Sequence, residues 1–421
     1  MQLQRRNFLK IGGLSFAAYG LVPAFLTSCN SDELISLENM TEGVEPLAKE
    51  DYEKRLAMAK ALMEEKNFDG LLITGGTNMQ YFLNMSWWRS ERMFGAIINR
   101  SGDPIWICPA FELERAEEVV QFGKDIRTWE EHESPYALII DAMKSISPTG
   151  GILGIGPTVR NFLVEGIRRE LPGTGVELTD GSLITEGCRG IKDEKELAYM
   201  DLANKITKMA YRESFKHVHE GMTSRELASL ISKAHEQMGT SGGGYPLFGP
   251  GSAFPHGTRE RHDLAEGDPI LVDGGCSVEG YRSDVTRTIF FGTPSDKMRK
   301  VFDLVLKAQQ KAQKAVRPGV TCETIDHAAR KVIEDAGFGP GYEYFTHRLG
   351  HGIGMEGHEY PYLVKGNTLE LQPGMTFSNE PGIYIYGEFG VRIEDCFAVT
   401  EEGSIVLGGM SVEDVERPFG P

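Results

Sequence analysis

Cysteine is scarce. Six occur in 421 residues, at positions 29, 108, 188, 276, 322 and 396, and no two are close neighbours. That spacing excludes a disulfide scaffold and a zinc module built on paired thiolates. Basic charge is also in the minority. Forty-four Lys and Arg face 61 Asp and Glu, for a formal charge of −17, which argues against a nucleic-acid partner, because phosphate binding needs clustered cations. The uncharged run Ile11–Phe25 has fifteen residues, short of the roughly twenty that span a bilayer. The two-histidine zinc helix, His-Glu-x-x-His, does not occur, so the usual single-zinc protease arrangement is out.

Glycine is plentiful, with fifty residues, which supplies tight turns and places where backbone can crowd a ligand. An apolar fraction of 40% provides packed cores, and the length sets a prior of two to three domains. The chain opens on Arg5-Arg6-Asn7-Phe8-Leu9-Lys10, continues through the uncharged run and reaches Leu26-Thr27-Ser28-Cys29. A charged start, a short apolar stretch and small residues make a secretory signal. The paired arginines resemble a bacterial twin-arginine signal, with Gln4 where Ser or Thr usually stands, and Leu-Thr-Ser-Cys resembles a lipoprotein box. This implies a signal peptide over 1–28 and a lipid on Cys29. The exported protein would then be anchored on the periplasmic or outer side of a bacterial membrane. Residues 29–50, polar and acidic, read as a tether. Cleavage removes Arg5, Arg6 and Lys10 and no acid, so only the acyl chains would hold so anionic a body at a membrane.

Between 51 and 185 helical and strand patterns alternate. Tyr52–Glu65 is amphipathic, and Gly70–Thr74, Ala96–Asn99, Ile105–Cys108 and Ile152–Ile155 read as buried strands. This is a smaller α/β domain with no chemistry visible in its motifs. The second domain, 190–421, starts with helices over Lys192–Val218 and, behind the capping box Thr223–Glu226, up to Met238. Strands follow at 269–273 and 281–291. The order then repeats, with helices Ser295–Val316 and Cys322–Ala336 and strands at 375–380 and 390–399. Two helices and two strands, twice, predict an α+β domain with pseudo-twofold halves around one cleft.

The acids in those strands are placed about turns. Asp273 and Asp284 are eleven apart, with a midpoint between Val278 and Glu279; Glu380 and Glu394 are fourteen apart, with a midpoint at Gly387. Hairpins centred there would set the two carboxylates of each pair opposite one another. Two such charges about 5 Å apart repel by roughly 3 kcal/mol at an effective dielectric near 20. Either one acid of each pair is protonated or a cation lies between them, and four carboxylates suffice for two divalent ions. Three of the ten histidines, His347, His351 and His358, fall within twelve glycine-dense residues, and His256 stands in Phe254-Pro-His-Gly-Thr. Gly352-Ile-Gly-Met-Glu-Gly357 matches a dinucleotide fingerprint in letters only, since no apolar strand precedes it.

Six stretches of the second domain carry a resemblance: Phe254-Pro-His-Gly, Val272-Asp-Gly-Gly, Gly280-Tyr-Arg-Ser-Asp-Val-Thr-Arg-Thr, Gly350-His-Gly-Ile-Gly-Met-Glu, Asn379-Glu-Pro-Gly-Ile-Tyr and Gly390-Val-Arg-Ile-Glu-Asp. In this order they resemble the metallopeptidase family with the pita-bread fold, which includes aminopeptidase P, prolidase, methionine aminopeptidase and creatinase. The resemblance implies a pita-bread catalytic domain behind a creatinase-type N-terminal domain. It implies that Asp273, Asp284, His351, Glu380 and Glu394 hold two divalent metal ions, with Asp284 and Glu394 bridging. Mn2+ is the first choice, and Co2+, Fe2+ or Zn2+ also suit the donors. The implied activity is metal-dependent hydrolysis of the Xaa-Pro bond, at the N-terminus of peptides with proline second or in dipeptides, by a water acidified between the ions. Glu380 is then the general base and His256 and His358 hold substrate and steady the tetrahedral intermediate. Arg392 pairs with a ligand carboxylate, and His347 stands near the site. The alternatives are a creatinase-like amidinohydrolase, a relative that cleaves a small non-peptide C–N or C–S bond, and a binding protein that has lost the reaction. In such families the N-terminal domain of one subunit often reaches its neighbour's site. That implies a homodimer and makes Trp88 and Arg92, in Trp87-Trp-Arg-Ser-Glu-Arg92, candidate substrate contacts.

Overall fold

The computed structural model describes residues 36–420. The export signal and the lipid site at Cys29 lie outside the described residues. The C-terminal part of the expected tether is no free linker. Leu37 N donates to Gln237 Oε1 (2.9 Å), Met40 N to the Met238 carbonyl (3.1 Å) and Tyr199 Oη to the Glu45 carbonyl (2.6 Å), so this segment lies along the second domain.

The first half builds one mixed sheet. Its elements are α1 (Lys49–Glu65), β1 (Gly70–Thr74), α2 (Thr77–Leu83), β2 (Gly95–Asn99), β3 (Ile105–Pro109), α3 (Leu113–Val119), β4 (Asp125–Trp129), α4 (Pro135–Ile146), β5 (Gly151–Ile155), α5 (Asn161–Glu170), β6 (Val176–Asp180) and α6 (Ser182–Arg189). The strand order is β4-β3-β2-β1-β5-β6, antiparallel around β2 and parallel elsewhere. The four strands expected from apolar runs are the four inner ones. The edges β4 and β6 are largely exposed and carry charges among their apolar residues, so no continuous run announces them.

The second half comprises α7 (Glu194–Ser214), α8 (Ser224–Gln237), β7 (Gly242–Phe248), β8 (Pro269–Val278), β9 (Tyr281–Arg282), β10 (Val285–Phe290), α9 (Asp296–Ala315), α10 (Cys322–Asp335), β11 (Gly350–Gly352), β12 (Glu359–Leu363), β13 (Thr376–Asn379), β14 (Gly382–Ile385), β15 (Phe389–Arg392), β16 (Asp395–Val399) and β17 (Ser404–Val406). One sheet runs β10-β8-β7 with β9 against β8, another β12-β11-β13-β16-β17, and β14 pairs with β15. Each half has its own core, Ile231, Phe248, Val272 and Val285 in one, Val305, Ile325, Phe377 and Phe397 in the other. Each such side chain contributes about 1.5–3 kcal/mol by leaving water.

The two hairpins differ in register. Asn379 pairs with Asp395 and Gly382 with Arg392, one continuous register in which Glu380 falls opposite Glu394. The first hairpin departs from the expected turn. Asp273 faces Thr286 and Val278 faces Tyr281, because the turn residues are Glu279 and Gly280, with φ of 48° and 84°. Two consecutive positive φ values make a type I′ turn, whose twist suits a hairpin. Its centre lies one residue later than the acid spacing predicts. Asp284 is therefore the diagonal, same-face neighbour of Asp273 and not its direct partner.

Buried charges join the halves. Arg55 of α1 donates to Glu196 Oε1 (3.0 Å) and to Tyr281 Oη (2.6 Å), while the other oxygen of Glu196 accepts from Asp193 N (2.8 Å) as the capping box of α7. Arg189 and Lys192 converge on Glu359 of β12, Lys192 Nζ at 2.7 Å. Burial would raise the Glu359 carboxyl, but Lys192 and Arg189 outweigh it and hold the group below its ordinary value. Glu359→Gln leaves two buried cations facing an amide, and breaking a buried pair costs about 3–5 kcal/mol. The expected result is a lower urea midpoint at pH 7. A depressed carboxyl stabilises above the unfolded pKa of about 4.3 and loses that contribution as pH falls through its folded value. The gap between wild type and variant should therefore close in acid.

Candidate metal centre

The two sheets meet where their strand ends carry acids. Asp273 is in β8, Asp284 links β9 to β10, His351 is central in β11, Glu380 follows β13 and Glu394 precedes β16. Their donor atoms form overlapping groups, each within 4.8 Å: Asp273–Asp284–Glu394, His351–Glu380–Glu394, and Asp284–His351–His358. All six side chains line a cavity of about 140 Å³, together with His256, His347, Arg348 and Arg392. The structure thus brings together every second-domain residue singled out above. Trp88 and Arg92 are not among them. Trp88 is 73% exposed, Arg92 pairs with Glu91 and Glu131, and both border a separate groove of about 250 Å³ beside Phe111.

Hydrogen bonds fix the geometry. His351 Nδ1 faces the Gly352 carbonyl at 3.1 Å, which turns Nε2 toward Glu380 Oε1 (3.2 Å) and Asp284 Oδ2 (3.7 Å). Arg392 donates from Nη2 to Asp273 Oδ2 (2.8 Å), from Nε to Thr286 Oγ1 (3.0 Å) and from Nη1 to Tyr384 Oη (2.8 Å). Thr286 donates its hydroxyl to Glu394 Oε2 (2.7 Å), and His347 Nε2 lies 2.8 Å from Tyr384 Oη. One polar chain therefore runs from His347 through Tyr384 and Arg392 to Asp273. The His358 ring stacks on His351, with centroids 3.7 Å apart. Spacing alone misses Thr286, Tyr384 and Arg348. Thr286 follows Asp284 by two, the strand period that keeps side chains on one face, so that signal was present. Tyr384 acquires its place only where three strands meet.

The electrostatics suit cations. Burial first, then the charge of Asp273, pushes Asp284 well above the carboxylate range. Burial, then Asp284 and Glu380, does the same to Glu394. Burial would also raise Glu380, but the hydrogen bond with His351 and the charges of His347, His351 and Arg392 bring it down to about 2. Burial lowers His347 and His358, so both imidazoles are neutral near pH 7. Asp284, half-buried, and Glu394, buried, are acids that hold protons unless other cations take their place. Carboxylate oxygens with one imidazole are donors for Mn2+, Fe2+, Co2+ or Zn2+, so the residues present fit a divalent-metal centre.

Comparison with known proteins leads to the same chemistry. The pattern of metallopeptidase family M24 matches residues 198–401, and that of the creatinase/prolidase N-terminal domain matches residues 55–191. The chain is 35% identical over 348 residues to the Xaa-Pro dipeptidase of Lactobacillus helveticus, a match covering 81% of this chain and 93% of that one. Among solved structures it resembles the dipeptidase PepE from Mycobacterium ulcerans, with a TM-score of 0.79 and 32% identity over 86% of this chain and 97% of that one. It also resembles a recombinant prolidase from Thermococcus sibiricus, with a TM-score of 0.76 and 32% identity over 85% and 96%.

Metal uptake at this cluster should be coupled to protons. Asp284 and Glu394 hold theirs above the usual range, and so does His351, where the hydrogen bond and charge of Glu380 outweigh burial. A bound cation must displace those protons. Calorimetric titration of metal-stripped protein with Mn2+ should therefore show affinity rising from pH 6 to pH 8 with proton release to the buffer. Uptake without pH dependence would count against these ligands.

Proposed function

The chain belongs to metallopeptidase family M24, and from that premise we propose that it is an Xaa-Pro dipeptidase that hydrolyses the bond preceding proline. The observation that carries this reading is the convergence of four carboxylates and an imidazole on one small cavity, in a chain similar to an Xaa-Pro dipeptidase. Asp273, Asp284, His351, Glu380 and Glu394 would hold two divalent ions, with Asp284 and Glu394 shared and manganese as the first metal to try. Such ions, when bound, polarise the scissile carbonyl and acidify a water.

The remaining work falls to side chains. Glu380 faces the cavity as a carboxylate, takes the proton of the attacking water and returns it to the nitrogen of the leaving proline. His358, neutral and exposed at the cavity, donates to the carbonyl oxygen as negative charge develops there, and His256 lines the same cavity. Arg392 neutralises Asp273 and, through Thr286, orients Glu394. Arg348 supports the preference for dipeptides. Its guanidinium lies over the Tyr362 ring at 4.4 Å, it lines the cavity, and no carboxylate among the described residues pairs with it. A planar cation in that position suits the free carboxylate of a two-residue substrate.

The same proposal extends to the rest of the chain. Residues 1–28 direct export, lipid on Cys29 anchors the enzyme outside the cytoplasm, and two copies associate so that Trp88 and Arg92 approach the neighbour's cavity. The exposure of Trp88 beside an open groove supports that last element.

Two outcomes test the reading. Chelation should abolish release of proline from Gly-Pro and added Mn2+ should restore it; full turnover by metal-stripped protein would reject it. Arg348→Ala should raise KM for Gly-Pro by about tenfold with a smaller effect on kcat, since it removes binding shared by ground and transition states. Wild type should cleave Gly-Pro faster than Gly-Pro-Xaa, and the variant should lose that preference.

A further inference from the structure

Tyr211 lies on α7 with no exposed surface, packed in the core with Ile231, Phe248 and Val272. Its ring stacks on Phe215, with centroids 6.1 Å apart. Its hydroxyl makes no hydrogen bond, and Ser214 is the other unpartnered buried hydroxyl among the described residues. A serine in a helix can turn its hydroxyl to a carbonyl of its own helix. A phenol at the end of a packed ring cannot. A buried hydroxyl without a partner is unfavourable, and phenylalanine would fill the same space without that penalty.

The direction of the hydroxyl gives it a use. The charges that act on it are Asp273, then Asp284, then Glu394, with Arg287 opposing them. The backbone beside it is shaped to admit it. At Gly274, next to Asp273, a Cβ would come within 2.5 Å of the Gly243 carbonyl and 3.1 Å of Tyr211 Oη, and at Gly244 one would come within 3.3 Å of the Tyr211 ring. Glycine on two adjacent strands leaves room for the phenol beside Asp273.

We propose that Tyr211 is a positioning residue of the metal centre, whose hydroxyl, without a partner in this structure, donates to a carboxylate oxygen of the Asp273–Asp284–Glu394 group when that group holds a cation. The inference rests on the reading of that group as a metal-ligand set. The hydroxyl orients carboxylates that would otherwise swing apart through mutual repulsion, and the foremost of the charges near it is Asp273, which this donor group alone contains. Partners that orient ligands in this way typically change metal affinity by 10–100-fold.

The test is Tyr211→Phe, which keeps the ring. Metal-stripped wild type and variant are titrated with Mn2+ by calorimetry, and melting temperatures are taken with and without the metal. One of the two ions should bind about tenfold or more weakly to the variant, while the other, held also by His351 and Glu380, weakens less. The metal-free variant should melt no lower than wild type, because the unpartnered hydroxyl is gone, while its gain in Tm on metal addition should be smaller. A merely structural tyrosine would lower the metal-free Tm instead. Wild-type affinity for both ions, or equal destabilisation with and without metal, overturns the inference alone. A wild-type chain that took up no divalent ion would overturn it together with the metal reading.

Discussion

Repulsion among carboxylates crowded into one cavity is the constraint from which the rest of this structure follows. Asp273, Asp284, Glu380 and Glu394 share one cavity, and in low dielectric each charge raises the free energy of the others. The fold answers with a small number of fixed counter-charges. Arg392 takes Asp273, His351 takes Glu380, and Thr286 ties Arg392 to Glu394. Those contacts leave Asp284 and Glu394 as acids that titrate high. The cluster is thus satisfied in part by protein and in part by whatever cation enters, which is how a metalloenzyme keeps its metal affinity open to pH.

The support does not end at the cavity wall. Asp395 follows Glu394 and points the opposite way, where Lys208 Nζ and Arg287 Nη2 both approach it at 2.7 Å. Burial would raise Asp395, but Arg287 and Lys208 outweigh it and keep the carboxyl below its ordinary value. The same two cations bind the end of the chain. Lys208 donates to the carbonyls of Leu407 and Gly409, and Arg287 to those of Met410 and Pro418. Arg287 also donates to the Glu394 carbonyl at 2.7 Å. The C-terminal segment, two buried cations and the backbone of a cavity carboxylate form one unit, so a change at residue 418 is mechanically close to the centre although far from it in sequence.

Much of this was legible in the sequence, for physical reasons that differ by element. Inner strands such as Gly70–Thr74 are buried on both sides and must be apolar throughout, so they were readable, whereas the charged edges β4 and β6 were not. The cluster was readable because like charges at strand spacing demand an explanation. The Glu380–Glu394 pairing followed from spacing because its ladder has no bulge on either side. The Asp273–Asp284 pairing did not, because the acid spacing centres the turn on Val278 and Glu279, whereas the type I′ turn takes Glu279 and Gly280, since glycine accepts a positive φ and β-branched Val278 does not. Trp88 and Arg92 belong to a groove in the other domain of the same chain, so only a second subunit would bring them to the cavity.

The difference between the two hairpins makes the centre asymmetric. A direct pairing sets Glu380 opposite Glu394 and places His351 beside them, while a diagonal pairing sets Asp284 obliquely to Asp273 and leaves Arg392 on the outer side. Two of the three donor groups contain imidazoles, and the third, Asp273–Asp284–Glu394, consists of carboxylates alone. Imidazole favours borderline ions such as Zn2+, and carboxylates favour harder ions such as Mn2+. The all-carboxylate group is also the one partly neutralised by arginine, which weakens its pull on a cation. Two ions entering such a centre would not bind alike. The geometry of the all-carboxylate group depends on the orientation of Asp273, Asp284 and Glu394, which hydrogen bonds from Arg392 and Thr286 constrain. The register of a single two-residue turn thus reaches through side-chain placement to the way in which the carboxylates of a metal centre face one another.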